Sequence, residues 1–450
     1  MKFRDLYVEN SCHTLPVFAT VDVLVAGGGA AGIAAAETAA RSGNSVLLVE
    51  KYGFLGGAAV AGLSGTICGL FLASDVNSRP EQIVYGFTDK FYRELAKMDG
   101  VTAPQKYGKT WTVTHDSLVW REVAENLLEA AGANILYHSN IVGVIKDDRD
   151  YKGIVIDTKS GVAAIHAKVI IDATGDADLI YRSGYDYVMG DNGHIQNPTM
   201  IFRLGGVDVQ AFLQEWGDDT ISPAKITKQI EAACENDGYD LPRKKIWIFS
   251  TPRPNELLVN ATRIVGRDGR ELNVMLPRDH TEAEIVGRRQ ARAYASFLKK
   301  YVAGCENSFI DDTGVEVGVR QTRSIVGVAC LTNQDVISHR KRTDGIAKCP
   351  WPIELHSGEK PKVEWIVDDY YEIPFGALVP VKGENILIAG RSLSAEHEAM
   401  ASARVTAQCF QYGQAAGIAA GLAIKSNRAI RALAGEEIRF LMNKDNARME

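Results

Sequence analysis

The sequence predicts an α/β fold, and three observations carry that expectation. The apolar run Val21-Asp22-Val23-Leu24-Val25-Ala26 enters a glycine-rich turn, and an alanine-rich stretch follows from about 30 to 41. Gly43 closes that stretch, and a second apolar run, Ser45-Val46-Leu47-Leu48-Val49-Glu50, comes directly after it. The same texture returns at Asn385-Ile386-Leu387-Ile388-Ala389-Gly390-Arg391, ahead of an Ala/Gly-rich helix expected over 402–424. Strand, turn, helix and strand in that order make one βαβ unit, which is right-handed. Between the two ends, from about 198 to 371, arginine, proline and aromatic residues increase and the βα rhythm is lost. The expected architecture is a Rossmann-type domain built from both ends of the chain, with an inserted α+β cap that holds the substrate.

The nucleotide domain is expected to comprise residues 17–73, 112–197 and 372–430. Residues 74–111 read as an insertion, 198–371 as the cap, and 431–450 as a C-terminal helix or tail. The Gly- and Ala-rich stretch 51–69 reads as a loop. Thr114 or Asp116 caps an amphipathic helix with Leu118, Val119, Val123, Leu127 and Leu128 on one side. Short strands follow over 135–137, 141–146, 153–157 and 163–166, then a buried strand at 169–172.

At 450 residues the chain is too long for one small core. Its 46% hydrophobic and 24% charged residues are an ordinary globular balance, and the net charge of -6 argues against a nucleic-acid partner. Seven scattered cysteines, with no C-x-x-C pair, fit a reduced cytoplasmic chain and exclude a cysteine-bound iron–sulfur cluster of that spacing. Residues 1–20 show no apolar leader core, and no uncharged apolar run approaches the roughly 18 residues of a membrane span. A homo-oligomer remains open.

Gly27-x-Gly29-x-x-Gly32 carries the chemistry. Gly27 permits the tight turn, Gly29 lets a diphosphate approach the backbone, and Gly32 lets helix and strand pack closely. Ala30 and Ala31 open the helix, whose free N–H groups and positive dipole end suit phosphate. Glu50 stands 18 residues after Gly32, where the adenosine ribose would lie; its carboxylate accepts hydroxyls and repels a 2′-phosphate, which disfavours NADP. Three further features favour FAD over NAD. Lys51 and the small-residue run Gly56-Gly57-Ala58-Ala59 follow the second strand and let the chain pass a flat ring system. Thr174-Gly175-Asp176 and Gly390-Arg391 place glycine turns at the ends of two later strands, the second ahead of a long helix. Ile141, opening the 141–146 strand, completes the candidate cofactor contacts.

These segments resemble the bacterial FAD-dependent oxidoreductase family of the glutathione-reductase-like superfamily, related to the flavin subunit of heterodisulfide reductases. The likeness extends through Phe54-Leu55-Gly56-Gly57, Arg320-Gln321-Thr322-Arg323-Ser324-Ile325-Val326-Gly327, Ile353-Glu354-Leu355-His356, Tyr371-Glu372-Ile373-Pro374-Phe375 and Gly413-Gln414-Ala415-Ala416-Gly417. The family pattern often reads Arg-Glu-Ser-Arg-Arg-Ile-x-Gly; Gln321 and Ser324 depart from it, which removes a carboxylate from position 321. The resemblance implies FAD and redox chemistry without fixing a substrate.

Flavin oxidation of a C–H bond needs a base and a group that holds the substrate in line. His397, which follows the third glycine turn, is the first candidate base, and His356 the second. Arg320 and Arg323 are candidate clamps for a carboxylate. No second strand–GxGxxG–helix unit is found, so electrons come from the substrate or a diffusing donor. The expected activity is that of an FAD-dependent dehydrogenase or oxidase, acting on a small molecule and passing electrons to an acceptor of unknown identity. The rivals are an NAD(P)H-dependent flavin monooxygenase and a flavin-binding subunit of a larger redox complex.

Overall fold

The computed structural model describes residues 15–356 and 362–450, so Cys12 and His13 lie outside the described residues. Five strands stand side by side and parallel: Asn134–Leu136, Val46–Val49, Val17–Ala26, Gly161–Asp172 and Ile386–Ile388. An antiparallel meander, Asn140–Lys146 and Tyr151–Thr158, attaches to the near half of Gly161–Asp172. The far half of that same strand pairs with Ile386–Ile388. The sequence reads this strand as two runs, yet it is continuous because Val17–Ala26 pairs with it from Ala164 to Asp172. The first strand likewise starts earlier than expected, at Val17, and its first residues, Val17 and Phe18, are exposed despite being apolar.

The helix Ala30–Arg41 is buried from Ala31 to Ala40, hence its alanine content. One side meets the sheet; the other meets the helix Thr406–Ser426 at backbone distance. A Cβ at Gly413 would lie 2.1 Å from the Ala31 carbonyl oxygen, and one at Gly417 2.7 Å from that of Ala35. Glu37 is fully buried in this layer, where Arg41 Nε at 2.8 Å and Lys90 Nζ at 2.6 Å neutralise it. The helix expected over 402–424 is broken into His397–Ala403 and Thr406–Ser426, with Val405 extended at φ -75° and ψ 160° between them. In Ser117–Ala131, Asp116 caps the N-terminus by accepting from Leu118 N and Val119 N, but Leu118 is exposed and Trp120 takes its place in the core.

Residues 198–317 form a separate apolar core around an antiparallel sheet ordered Trp247–Ser250, Glu256–Asn260, Phe202–Gly205 and Phe309–Thr313. The helices Val209–Trp216, Ala224–Asn236 and Pro277–Tyr301 contribute their buried faces to that core. Three segments pack elsewhere than their sequence texture indicates. The strand Gly345–Cys349, from the last third of the expected cap, belongs to the first core and pairs with Tyr371–Pro374 at the edge of the expected nucleotide domain. So does the insertion helix Phe87–Lys97, where the Phe91 ring sits 4.5 Å from Trp120 and 4.8 Å from Phe410. Ile438, Met442 and Met449 of the expected tail are buried there too. Among the described residues, no helix is long and apolar enough to cross a membrane.

Candidate cofactor and substrate site

A cleft of about 320 Å³ runs between the glycine turn and the cap sheet. Its first wall is Gly27, Gly29, Ala30 and Ala31. Gly27 has φ +101°, and a Cβ there would meet the Ala173 carbonyl oxygen at 2.6 Å, so this turn requires glycine. Gly29 is the N-cap of the first helix, with extended backbone; a Cβ on it would meet nothing nearer than Gly57 Cα at 3.9 Å. The space over Gly29 is therefore part of the cleft, and the first N–H groups of the helix open onto it. Gly32 is absent from the lining. A Cβ there would lie 1.9 Å from the Gly27 carbonyl oxygen, so it serves the packing of turn and helix.

Glu50 closes this wall, almost wholly buried. Its Oε2 accepts from Gly28 N at 2.7 Å and its Oε1 from Tyr52 N at 3.0 Å, which fixes the carboxylate beneath the turn and leaves each oxygen a further lone pair. Burial raises its pKa, against the pull of those two N–H donors. Lys51 lines the cleft beside it, 3.0 Å from Glu316. Tyr52 donates to the same Glu316 at 2.5 Å and stacks on Phe54 with centroids 5.1 Å apart. Glu316 is a lining residue that no sequence motif announces.

Gly56, Gly57, Ala58 and Ala59 form the next wall, laid against the glycine turn by Gly56 N donating to Gly28 O at 2.8 Å. Thr174, Gly175 and Asp176 line the cleft opposite, with Gly390 and Arg391. Asp176 Oδ1 accepts from Thr322 Oγ1 at 2.6 Å and from Arg391 Nη2 at 2.8 Å, tying three chain segments together.

Beyond Thr66 and Cys68 the lining becomes a buried polar cluster with Tyr107, Arg320, Trp351, Glu354, His356 and Arg404. Glu354 and His356 alternate on an extended run and so face the same way. Arg404 enters from the break between the two late helices. Tyr107 donates to Glu354 Oε1 at 2.8 Å, and His356 Nε2 lies 3.4 Å from the same oxygen. His356 Nδ1 faces Arg243 Nη2 at 2.9 Å. Arginine only donates, so Nδ1 accepts and the imidazole proton resides on Nε2. Burial, and then the nearby Arg320, lowers the His356 pKa. Burial pushes Glu354 up, but His356, Tyr107 and Arg404 together hold it below its usual range. At neutral pH the pair is therefore a carboxylate beside a neutral imidazole. Cys68 is pushed up to about 11 by burial and is a thiol, hydrogen-bonded with Thr66 and Thr112.

This pair makes the protein acid-sensitive. The unfolded chain takes a proton on His356 below 6.5 and on Glu354 below 4.5, while the folded chain resists both. Stability therefore falls as pH drops below 6.5. The melting temperature is expected to decrease from pH 7 to 5 in the parent and to decrease less in His356→Gln. Equal slopes would remove His356 as a contributor.

Three expected site residues lie elsewhere. His397 opens the helix His397–Ala403 outside the cleft; its charged surroundings are Asp191, Glu398, Glu271 and His194. The chain turns away after Gly390, so nearness in sequence to that turn does not bring the ring to the site. His397→Ala is expected to leave FAD content and turnover unchanged. Arg323 donates to Asp176 O at 2.8 Å and Asp178 Oδ1 at 3.1 Å and lies over the Tyr181 ring at 4.3 Å. It pins the base of the cleft and does not line it. Ile141 pairs with Ile156 in the meander and packs on the far side of the sheet; Ser139 N, two residues earlier, is what reaches Glu50 O, at 3.1 Å.

A family model described as FAD dependent oxidoreductase matches residues 22–442. The chain belongs to this family. It is an oxidoreductase with FAD as its cofactor, and the mixed α/β fold with a parallel sheet fits a Rossmann-type FAD-binding domain. The chain is 29% identical over 157 residues to digeranylgeranylglycerophospholipid reductase of Thermoplasma volcanium, covering 35% of this chain and 39% of that one. It is 27% identical over 207 residues to the Thermoplasma acidophilum enzyme of the same name, covering 46% and 52%. The chain thus spans about half or less of these relatives' length. A solved structure of a geranylgeranyl bacteriochlorophyll reductase-like protein from Thermoplasma acidophilum is similar at TM-score 0.48 and 15% identity, over 95% of this chain and 82% of that one.

Proposed function

We propose that this oxidoreductase is a dehydrogenase or oxidase of a small polar molecule, with the nucleotide domain of glutathione-reductase-like type. The observation that carries the reading is the polar cluster on the far lining, where Arg320, Glu354, His356 and Arg404 meet a cleft whose other end is the glycine turn. Gly27, Gly29, Ala30 and Ala31 would hold the diphosphate of FAD, Glu50 the ribose, and Gly56 to Ala59 and Gly390 the remainder. Bound FAD supplies a two-electron acceptor for a hydride from a substrate carbon, while the substrate's O–H or N–H proton is released to water. Oxygen, a quinone or a partner protein would be the terminal electron acceptor.

The chain's own residues do the positioning. Arg320 and Arg404 orient the substrate, and Tyr107, Phe249 and Trp351 give that end an apolar wall. His356 has both ring nitrogens engaged, so it acts as a positioning residue that fixes Arg243 and Glu354. Anaerobic stopped-flow mixing against a metabolite panel tests the reading: bleaching of the flavin by a metabolite alone is expected. Bleaching only by NAD(P)H would replace it with a monooxygenase. A flavin reduced by dithionite alone would replace it with a non-catalytic subunit.

A further inference from the structure

The polar cluster carries more positive charge than its own groups compensate. Arg243, Arg320 and Arg404 surround the single carboxylate Glu354, and His356 is neutral. Arg320 is 6% exposed and Arg243 is 3% exposed. Their protein partners are few. Arg320 Nη1 donates to Asn197 O at 2.7 Å, Arg404 Nη2 to Gln196 Oε1 at 3.2 Å, and Arg243 Nη2 to His356. Among the described residues, Arg243 Nε and Nη1 and Arg404 Nε are buried with no hydrogen-bond partner. A buried cation without a paired anion is costly, and an unmade charged hydrogen bond costs more than an average one returns. Arg391, on the same lining, differs in charge rather than in hydrogen bonding: its Nη2 is ion-paired with Asp176, while its Nη1 is also buried without a partner.

We propose that Arg320 and Arg404 bind a carboxylate of the substrate, so that the substrate class is a carboxylic acid oxidised near its carboxylate. The guanidinium fork matches the two oxygens of a carboxylate, and the anion supplies the acceptor that Arg404 Nε lacks. Tyr107, Phe249 and Trp351 on the lining give its carbon skeleton an apolar wall. The diphosphate of FAD does not compete for these groups, since it is placed on the helix N-terminus at Gly29. Arg243 sits one layer behind, over the Trp247 ring at 5.1 Å, and steadies His356. The inference rests on the reading of this cleft as a flavin and substrate site.

The test is equilibrium binding to oxidised holoenzyme. Acetate, propionate and benzoate are titrated beside acetamide, propionamide and benzamide, with the visible flavin spectrum and calorimetry as readouts. At least one carboxylate is expected to bind and shift the spectrum, roughly tenfold or more tightly than its amide. Arg320→Gln is expected to abolish that preference with FAD content retained, and Arg320→Lys to restore part of it; Arg404→Gln is the second variant should Arg320→Gln not fold. No binding by any carboxylate, or equal binding of acid and amide, overturns the proposal. So does an Arg320→Gln variant with unchanged carboxylate affinity and a lowered flavin reduction potential, which would assign the positive charge to the reduced cofactor. No turnover is involved, so carboxylate binding without bleaching by any metabolite would remove the dehydrogenase reading and leave this site standing.

Discussion

Gly29→Val is expected to give folded protein that purifies colourless. Position 29 has the extended backbone that valine adopts readily, and a Cβ there meets no protein atom nearer than 3.9 Å. The apo fold therefore loses little beyond a poorer N-cap, on the order of 1 kcal/mol or less. The new methyl groups project into the cleft where the diphosphate is proposed to approach the helix N-terminus. A loss of affinity on the order of a hundredfold or more follows from holding the diphosphate away from those N–H groups. Flavin content by absorbance, with circular dichroism for the fold, reads the result. Gly29→Ala should fall between the parent and the valine variant. Full FAD occupancy in folded Gly29→Val would mean that the diphosphate lies somewhere else.

The largest loss of stability is expected from Gly413→Leu. At this point the late helix Thr406–Ser426 rests on the backbone of Ala30–Arg41, and a Cβ would lie 2.1 Å from Ala31 O and 2.7 Å from Ala34 Cβ. Neither helix can yield, because the first is held against the sheet on its other side. Separating them costs on the order of 3 kcal/mol or more, and it moves the Ala30 end that faces the cofactor. A thermal melt should show a large drop, together with weaker FAD retention. Gly421→Ala on the same helix is the control. Its Cβ would meet Asn44 Nδ2 and Ser42 Cβ at 3.2 Å, where a few tenths of an ångström of give suffices, so stability should stay within about 1 kcal/mol of the parent. Equal losses at both positions would contradict this account.

The first βαβ unit is legible in the sequence because its three signals are local: the apolar run, the glycine spacing and the carboxylate at Glu50. The separate cap core is legible as a change of texture after residue 198. Its far limit is not, because Gly345–Cys349 is buried by partners distant in sequence. The substrate end is the least legible. Arg404 sits in an Ala/Gly-rich run that reads as one helix, and only its extended neighbour Val405 turns the guanidinium into the cleft. Glu354 and His356 carry a weak signal, acid and imidazole two apart on an extended run, that sequence alone cannot place against a ring system. His397 shows the converse error, in which closeness along the chain stands in for closeness in space.

The order in which the sheet is completed bears on biosynthesis. A nascent chain that has emerged only as far as residue 380 owns the glycine turn and the whole cap core, but not Ile386–Ile388 or the helix Thr406–Ser426. Until those arrive, the alanine face of the first helix has no cover, and neither Arg391 nor Arg404 is in position. Capture of the vitamin-derived cofactor is thus expected only once residues 386–426 have left the ribosome. Truncation there yields an apoprotein with an uncovered, sticky surface.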